Sequence, residues 1–284
     1  MIALNISPEE AASGQMRPEH VEAAVEAVTK DGFVVLSDVV DTRHLDILLA
    51  RMLEDLQALV GRADAPFNWN TGNVQQDPPP FPPYLFEDVL LNKMVLAVTR
   101  ALLGGGVKNT MYSGNTALPS DSRQPVHADT GHLWPRLEVA HPPVQLVVNV
   151  PVVDMSAENG STELWPGTHR DTTITAGKDI KVPADALERR RAFVPPIQPV
   201  VRRGGVLIRD MRLWHAGMPN RTQNPRPMIA MVHVPGWLAT HDSLTFPKGT
   251  EPFFQQSDLR TCARFVDGSI DHIGAPQAYE YMST

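Results

Sequence analysis

From Val107 onward the apolar residues come in short runs, Val144 to Val150, Val206 to Ile208 and Met228 to Val234, each bounded by proline, glycine or asparagine. Runs this short, closed by residues that interrupt regular backbone, predict strands. A chain of many short strands must dispose of its sheet edges, and curling the sheet into a jelly roll does so. The first third has another rhythm. Val21, Ala24, Val25 and Val28 recur at helical spacing until Gly32, and Phe33 to Leu36 reads as a strand. Asp41 stands where it can cap a helix striped by Leu45, Leu48, Leu49, Met52, Leu53 and Leu56. A third helix is predicted from about Glu87 to Leu103, stopped by Gly104-Gly105-Gly106. Between Asp64 and Tyr84 the chain is polar and proline-rich, so a loop or lid is expected there.

These patterns predict a mainly β protein with flanking α-helices, its strands in a closed or double-sheet architecture such as a jelly roll. A chain of 284 residues can bury one sizeable core, so a single domain over 1–284 is expected. Its helical part would cover about 1–106, its β core about 107–240 and a C-terminal extension about 241–284.

The formal charge of −7 and the lack of a long Lys/Arg block argue against a nucleic-acid partner. Arg189-Arg190-Arg191 follow Glu188 in a helix-like stretch and read as a solvated face. Cys262 is the single cysteine, which rules out an intramolecular disulfide and fits a reducing compartment. There is no apolar run of about 18 residues, the length a membrane helix needs. With Glu9 and Glu10 where a signal peptide would be basic then apolar, a cytoplasmic location is expected.

The chemistry sits at two places. In Gln124-Pro125-Val126-His127-Ala128-Asp129 an imidazole and a carboxylate are two residues apart, and on a strand alternate side chains share a face. The apolar run from Val206 leads to a second imidazole, His215, followed by Ala216-Gly217. Two histidines and a carboxylate on one face of an ion leave its opposite face open, the arrangement of non-haem iron(II) oxygenases. Arg226 follows His215 by eleven residues, across a loop expected to join two antiparallel strands. Its guanidinium would then lie beside the metal strand, fit for a bidentate pair with a carboxylate.

The chain resembles the phytanoyl-CoA dioxygenase family of Fe(II)/2-oxoglutarate enzymes. The resemblance rests on His127-x-Asp129, on Glu158-Asn159-Gly160-Ser161-Thr162-Glu163-Leu164-Trp165-Pro166-Gly167-Thr168-His169, and on His215 with Asn220 and Arg226. It implies a double-stranded β-helix (jelly roll, cupin-like) with an N-terminal helical layer, His127, Asp129 and His215 as iron ligands, and Arg226 as anchor for the distal carboxylate of 2-oxoglutarate. Gln145 stands where relatives often place an aromatic cosubstrate contact, and Thr162 offers a hydroxyl; both are candidate cosubstrate contacts. The implied cofactors are Fe(II), 2-oxoglutarate and O2, and the implied reaction is oxidation of a small organic molecule by hydroxylation, desaturation or rearrangement.

Asp129 argues against a halogenase, Val232 against the nucleic-acid demethylases and Met228 against the plant-type oxidases, each by occupying a position those groups fill differently. The proline- and amide-rich stretch before Tyr84 suits a neutral polycyclic or terpenoid-like natural product. The expected partners are that small molecule and, as an arrangement the sequence leaves open, a second copy of the chain as a homodimer. Two competing readings remain. One is a cupin-like metal-dependent hydrolase or isomerase, since the same ligands bind zinc, although Arg226 is then unexplained. The other is a catalytically inactive binding barrel, although no ligand is damaged.

His169 and Arg170 are expected to stabilise a turn, and His132 and Trp134 either to reach substrate or to pack a loop. The amide-rich stretch Asn68 to Gln76 is expected to close over the cosubstrate or face the substrate.

Overall fold

The computed structural model describes residues 3–69, 72–134, 137–174 and 180–278. Capping residues set the boundaries of its N-terminal layer. After a short strand, β1 (Ala3–Asn5), Ser7 and Glu10 cap α1 (Pro8–Ser13) reciprocally, a helix the apolar periodicity does not reveal. Gly32, at φ 90°, ends α2 (Pro18–Asp31) before β2 (Phe33–Ser37). The Asp41 carboxylate accepts from the Arg43 amide at the start of α3 (Thr42–Val60).

Two expectations change here. The predicted loop 64–84 contains a strand, β3 (Asn73–Gln75). The predicted third helix is two helices, α4 (Glu87–Leu90) and α5 (Lys93–Leu103), because the Asn92 side chain accepts from the amides of both Met94 and Val95. A side chain that satisfies two orphan amides starts a helix rather than continuing one.

The remaining elements are β4 (Lys108–Ala117), β5 (Leu146–Pro151), β6 (Glu163–Leu164), α6 (Ala184–Phe193), β7 (Val206–Asp210), β8 (His215–Ala216), β9 (Arg226–Val234), β10 (Leu244–Pro247), α7 (Glu251–Gln255), β11 (Arg260–Thr261) and β12 (Ala263–Val266). The main sheet has eight strands in the order β1-β2-β7-β5-β9-β4-β11, with β3 added to β4. β6 pairs with β8 in a smaller sheet, and isolated bridges between His127 and His215, Leu164 and Ile197, and Met155 and Val201 accompany it. β10 pairs with β12. The protein is thus mainly β sheet with flanking helices.

Strand alternation sends successive side chains to opposite faces of the main sheet. One face, with Leu36, Val148, Ile208, Ile229 and Met231, packs on Leu45, Leu48 and Met52 of α3 and on Met94 and Val98 of α5. Each such leucine contributes about 2 kcal/mol by leaving water. On the other face Phe33, Val35, Leu207 and Met228 meet Met155, Leu164, Val201 and Leu213. That second face also carries Val147, Asn149, Arg209, Ala230 and Val232, and these open onto a cavity rather than a packed layer.

Arg189 and Arg191 on α6 pair with Asp185 and Glu188 at the surface, the solvated face expected, but Arg190 departs from it, turning inward to donate from Nη2 to the Pro166 carbonyl. Among the described residues no helix is long and apolar enough to cross a membrane.

Candidate metal centre

His127 and His215 come together through their backbones. The His127 amide donates to the His215 carbonyl at 2.9 Å and the His215 amide to the His127 carbonyl at 2.8 Å, which stacks the rings at a tilt with centroids 4.2 Å apart. His127 lies on an isolated bridge, so the expectation that it and Asp129 share a regular strand is corrected. Both imidazoles are oriented alike: Nδ1 of His127 donates to the Pro125 carbonyl and Nδ1 of His215 to the Leu213 carbonyl, each at 2.9 Å. A carbonyl only accepts, so each Nδ1 carries a proton and each Nε2 is the atom left to face an ion.

Asp129 completes the group. Its Oδ1 lies 3.4 Å from Nε2 of His215 and 3.7 Å from Nε2 of His127, and one ligand atom from each of the three residues lies within 4.8 Å of the others. Burial, with the neighbouring His215 charge, pushes the His127 pKa down to about 3, so that ring is neutral at pH 7. Burial works to raise the Asp129 carboxyl, but His215 and Arg209 beside it outweigh this and hold it well below the usual carboxylate range. A neutral His127 ring and an ionised Asp129 carboxylate are protonation states a divalent cation requires.

The three side chains line a cavity of about 350 Å3. Toward the start of β9 its wall includes Thr162, Gln124, Asn73, Gly217 and Met228. The Gln124 amide oxygen accepts from the Gly217 amide, and a Cβ on Gly217 would lie 2.6 Å from that oxygen, so a side chain there would displace Gln124 from the cavity wall. Further along, Met111, Val147, Met211, Ala230 and Val232 form an apolar wall. The Trp69 ring lies 4.5 Å from that of His127, on a backbone at φ 58°. Among the described lining residues Asp129 and Arg209 are the charged acid and base, and they pair with each other at 2.7 Å.

Arg226 begins β9 and is 1% exposed. The loop from β8 to Arg226 does not join paired strands as expected: β8 pairs with β6, whereas β9 pairs with β4 and β5, so the chain crosses between sheets. Asn220 stabilises the crossing, its amide donating to the carbonyls of Ala117 and Asn224. The Arg226 guanidinium donates from Nη2 to the Gly160 carbonyl at 2.9 Å and from Nε to the Asn159 carbonyl at 3.4 Å. Its Nη1 is buried with no partner among the described residues, and burial lowers its pKa to about 10. A buried guanidinium held only by carbonyls calls for an anion. Arg226 is not itself a lining residue of the cavity, but Met228, two residues on, and Thr162, two residues beyond Gly160, are.

The other candidates divide. Thr162 lines the cavity; Gln145 does not, for it stands half-buried just before β5 with its carbonyl accepting from the Met211 amide. Asn149, four residues on along the same face, lines it instead. His132 and Trp134 are absent from the lining: His132 contacts the Asp171 carbonyl and Arg212, and Trp134 is exposed against His141. His169 is buried with Nε2 donating to the Thr29 carbonyl, tying the turn to α2 as expected. Asn68, Trp69, Asn73 and Gln75 line the cavity, whereas Asn70 and Thr71 lie outside the described residues. Arg209 and Gln124 were not singled out beforehand, although an arginine within Val206-Leu207-Ile208-Arg209 breaks an otherwise apolar run.

Comparison with known proteins places these features. Residues 28–228 match the phytanoyl-CoA dioxygenase (PhyH) family. The dioxygenase af480 of Aspergillus fumigatus is 26% identical over 213 residues, which cover 72% of this chain and 63% of that protein, so the chain spans less than two thirds of that relative. Among solved structures, AviO1 of Streptomyces viridochromogenes Tue57 superposes with a TM-score of 0.56 at 22% identity, over 77% of this chain and 96% of that one. The epimerase SnoN, solved with Fe3+, alpha-ketoglutarate and nogalamycin RO, superposes with a TM-score of 0.57 at 17% identity, over 77% of this chain and 85% of that one.

Proposed function

The chain belongs to the phytanoyl-CoA dioxygenase family, and on that premise we propose that it is a non-haem Fe(II)- and 2-oxoglutarate-dependent dioxygenase acting on a small, neutral natural product. The observation that carries the reading is the convergence of His127, Asp129 and His215 on one point, supported by the buried guanidinium of Arg226, whose Nη1 has no partner among the described residues and whose near neighbours Met228 and Thr162 line the same cavity. In this reading the three residues hold Fe(II), and Arg226 holds the distal carboxylate of 2-oxoglutarate with Thr162 nearby. Gln145, away from the cavity, receives no role. The two sheets and the crossing loops are read as a double-stranded β-helix forming one domain over 1–284.

Fe(II) with 2-oxoglutarate and O2 supplies oxidative decarboxylation to succinate and CO2, coupled to oxidation of a substrate C–H bond. The work of the chain is positioning. His127 and His215 present fixed lone pairs, Asp129 supplies the negative charge, and Arg226 fixes the cosubstrate in one direction and excludes water from its far end. The apolar wall of Met111, Val147, Met211 and Val232 holds the substrate, and its thioethers adapt to irregular shapes. Because Asp129 and Arg209 neutralise each other, no free charge awaits an ionic substrate among the described lining residues, which favours a neutral polycyclic or terpenoid-like molecule. Tailoring of a secondary metabolite fits this chemistry, and neither a nucleic acid nor a membrane is assigned as partner.

The reading is tested by screening such metabolites for substrate-dependent, O2-dependent conversion of 2-oxoglutarate to succinate. Turnover with Fe(II) and none with Zn(II) is expected. Metal-dependent hydrolysis that proceeds without O2 would overturn the assignment.

A further inference from the structure

Arg209 occupies a position where its surroundings predict an apolar residue. Leu207, two residues before it on the same face of β7, is packed among apolar side chains, and the partner of Arg209 itself in β5 is Val147. A guanidinium in such a wall is costly unless its charge is matched. Here it is matched by one group, since Nη2 donates to Oδ2 of Asp129 at 2.7 Å while Nη1 is buried without a partner among the described residues. The two oxygens of Asp129 therefore have separate surroundings. Oδ1 faces the Nε2 atoms of His215 and His127 at 3.4 and 3.7 Å, and Oδ2 is tied to Arg209.

A carboxylate can give a metal one oxygen or both. Two histidines and a two-oxygen carboxylate leave a six-coordinate ion room for a keto-acid chelate and nothing more; a one-oxygen carboxylate leaves one further position. We propose that Arg209 is a positioning residue that restricts Asp129 to one-oxygen ligation and thereby keeps open the position that O2 requires. The proposal rests on the reading of the centre as an Fe(II)/2-oxoglutarate site. It predicts a selective defect, because freeing Oδ2 closes one position without disturbing the histidines, Arg226 or the keto-acid chelate.

The experiment uses the full chain as wild type, Arg209→Met and Arg209→Lys, loaded anaerobically with Fe(II) and then 2-oxoglutarate. Nitric oxide, which needs the same free position as O2, is titrated last and read by electron paramagnetic resonance. Arg209→Met is expected to bind Fe(II) and 2-oxoglutarate nearly as wild type does, but to bind nitric oxide about ten- to a hundredfold more weakly, a loss as large as removal of a ligand's partner causes in metal affinity or activity but confined here to the open position. Arg209→Lys, which keeps one charged donor, should recover most of that loss. Unchanged nitric oxide affinity in Arg209→Met overturns the proposal, as does a parallel loss of Fe(II), 2-oxoglutarate and nitric oxide, which marks a merely structural residue. Should both variants fail to fold, a crystal structure of metal-loaded wild type decides: one Asp129 oxygen on the metal and the other on Nη2 supports it, and both on the metal refutes it. That structure can be obtained with Mn(II), which is octahedral on oxygen-rich sites, so the role of Arg209 can fail or stand independently of the 2-oxoglutarate reading.

Discussion

Replacing Arg226 with methionine separates a structural arginine from one that waits for an anion. The side chain is buried, it meets no carboxylate among the described residues, and the fall of its pKa from 12.5 to about 10 corresponds to about 3 kcal/mol against the charged form in the fold. Arg226→Met removes that penalty and keeps most of the side-chain volume. It also leaves the carbonyls of Asn159 and Gly160 without their donors, at about 1 to 2 kcal/mol each. The two effects nearly cancel, so the metal-free protein should unfold in urea within about 1 to 2 kcal/mol of wild type, well short of the 3 to 5 kcal/mol that follows rupture of a buried ion pair. Cosubstrate binding should behave oppositely. Removing one side of a buried, hydrogen-bonded charge pair costs about 2 to 5 kcal/mol, which weakens 2-oxoglutarate about thirtyfold to several thousandfold in an anaerobic titration at saturating Fe(II). A variant that loses more than about 3 kcal/mol of stability while binding 2-oxoglutarate normally would show that Arg226 serves the fold.

Other consequences can be checked separately. Gly160→Ala forces a Cβ onto a backbone at φ 79° and to within 2.6 Å of the Met218 carbonyl, so it should destabilise the protein by about 1 to 3 kcal/mol and weaken 2-oxoglutarate by displacing the Gly160 carbonyl from Arg226. Ala230→Leu narrows the apolar end of the cavity and should abolish substrate-dependent succinate release while leaving cosubstrate binding intact; equal turnover would place the substrate elsewhere. Burial holds the His233 pKa at about 4 against 6.5, so below 6.5 the unfolded chain takes up a proton that the fold refuses. This residue's contribution is complete above pH 6.5 and falls by about 3 kcal/mol as pH drops to 4, and His233→Leu should flatten that part of the urea stability profile. Leu48→Ala, in the layer between α3 and the main sheet, should cost about 2 to 5 kcal/mol without altering metal affinity.

β5, β7 and β9 could be read because each is a short, continuous apolar run buried along its whole length, and the Asp41 cap because its acceptor precedes a clear leucine stripe. Asn92 was hidden within a continuous apolar pattern, since Leu90, Leu91, Met94 and Val95 keep helical spacing across a capping residue that restarts the helix. β3 was missed because three polar residues become a strand only by pairing with Asn115 to Ala117, about forty residues later. The spacing of His127, Asp129 and His215 announced a metal set, but their meeting depends on reciprocal backbone bonds between His127 and His215 that no local pattern encodes. Gln145 and Asn149 show the limit of counting along a strand: both are amides on one face, and only the end point of the cavity separates them. Arg209 acquires meaning once Asp129 is found beside it, which is tertiary information.

The central claim is that the three ligands and Arg226 form one Fe(II)/2-oxoglutarate centre, and its most direct test is optical. Metal-free protein is given Fe(II) and then 2-oxoglutarate without oxygen, and the visible metal-to-ligand charge-transfer absorption is followed. The account predicts a band that appears with both additions, saturates at one equivalent of Fe(II) and is lost in Asp129→Ala and His215→Ala. No band in a folded wild-type protein that binds Fe(II), or an equal band in those two variants, would contradict it.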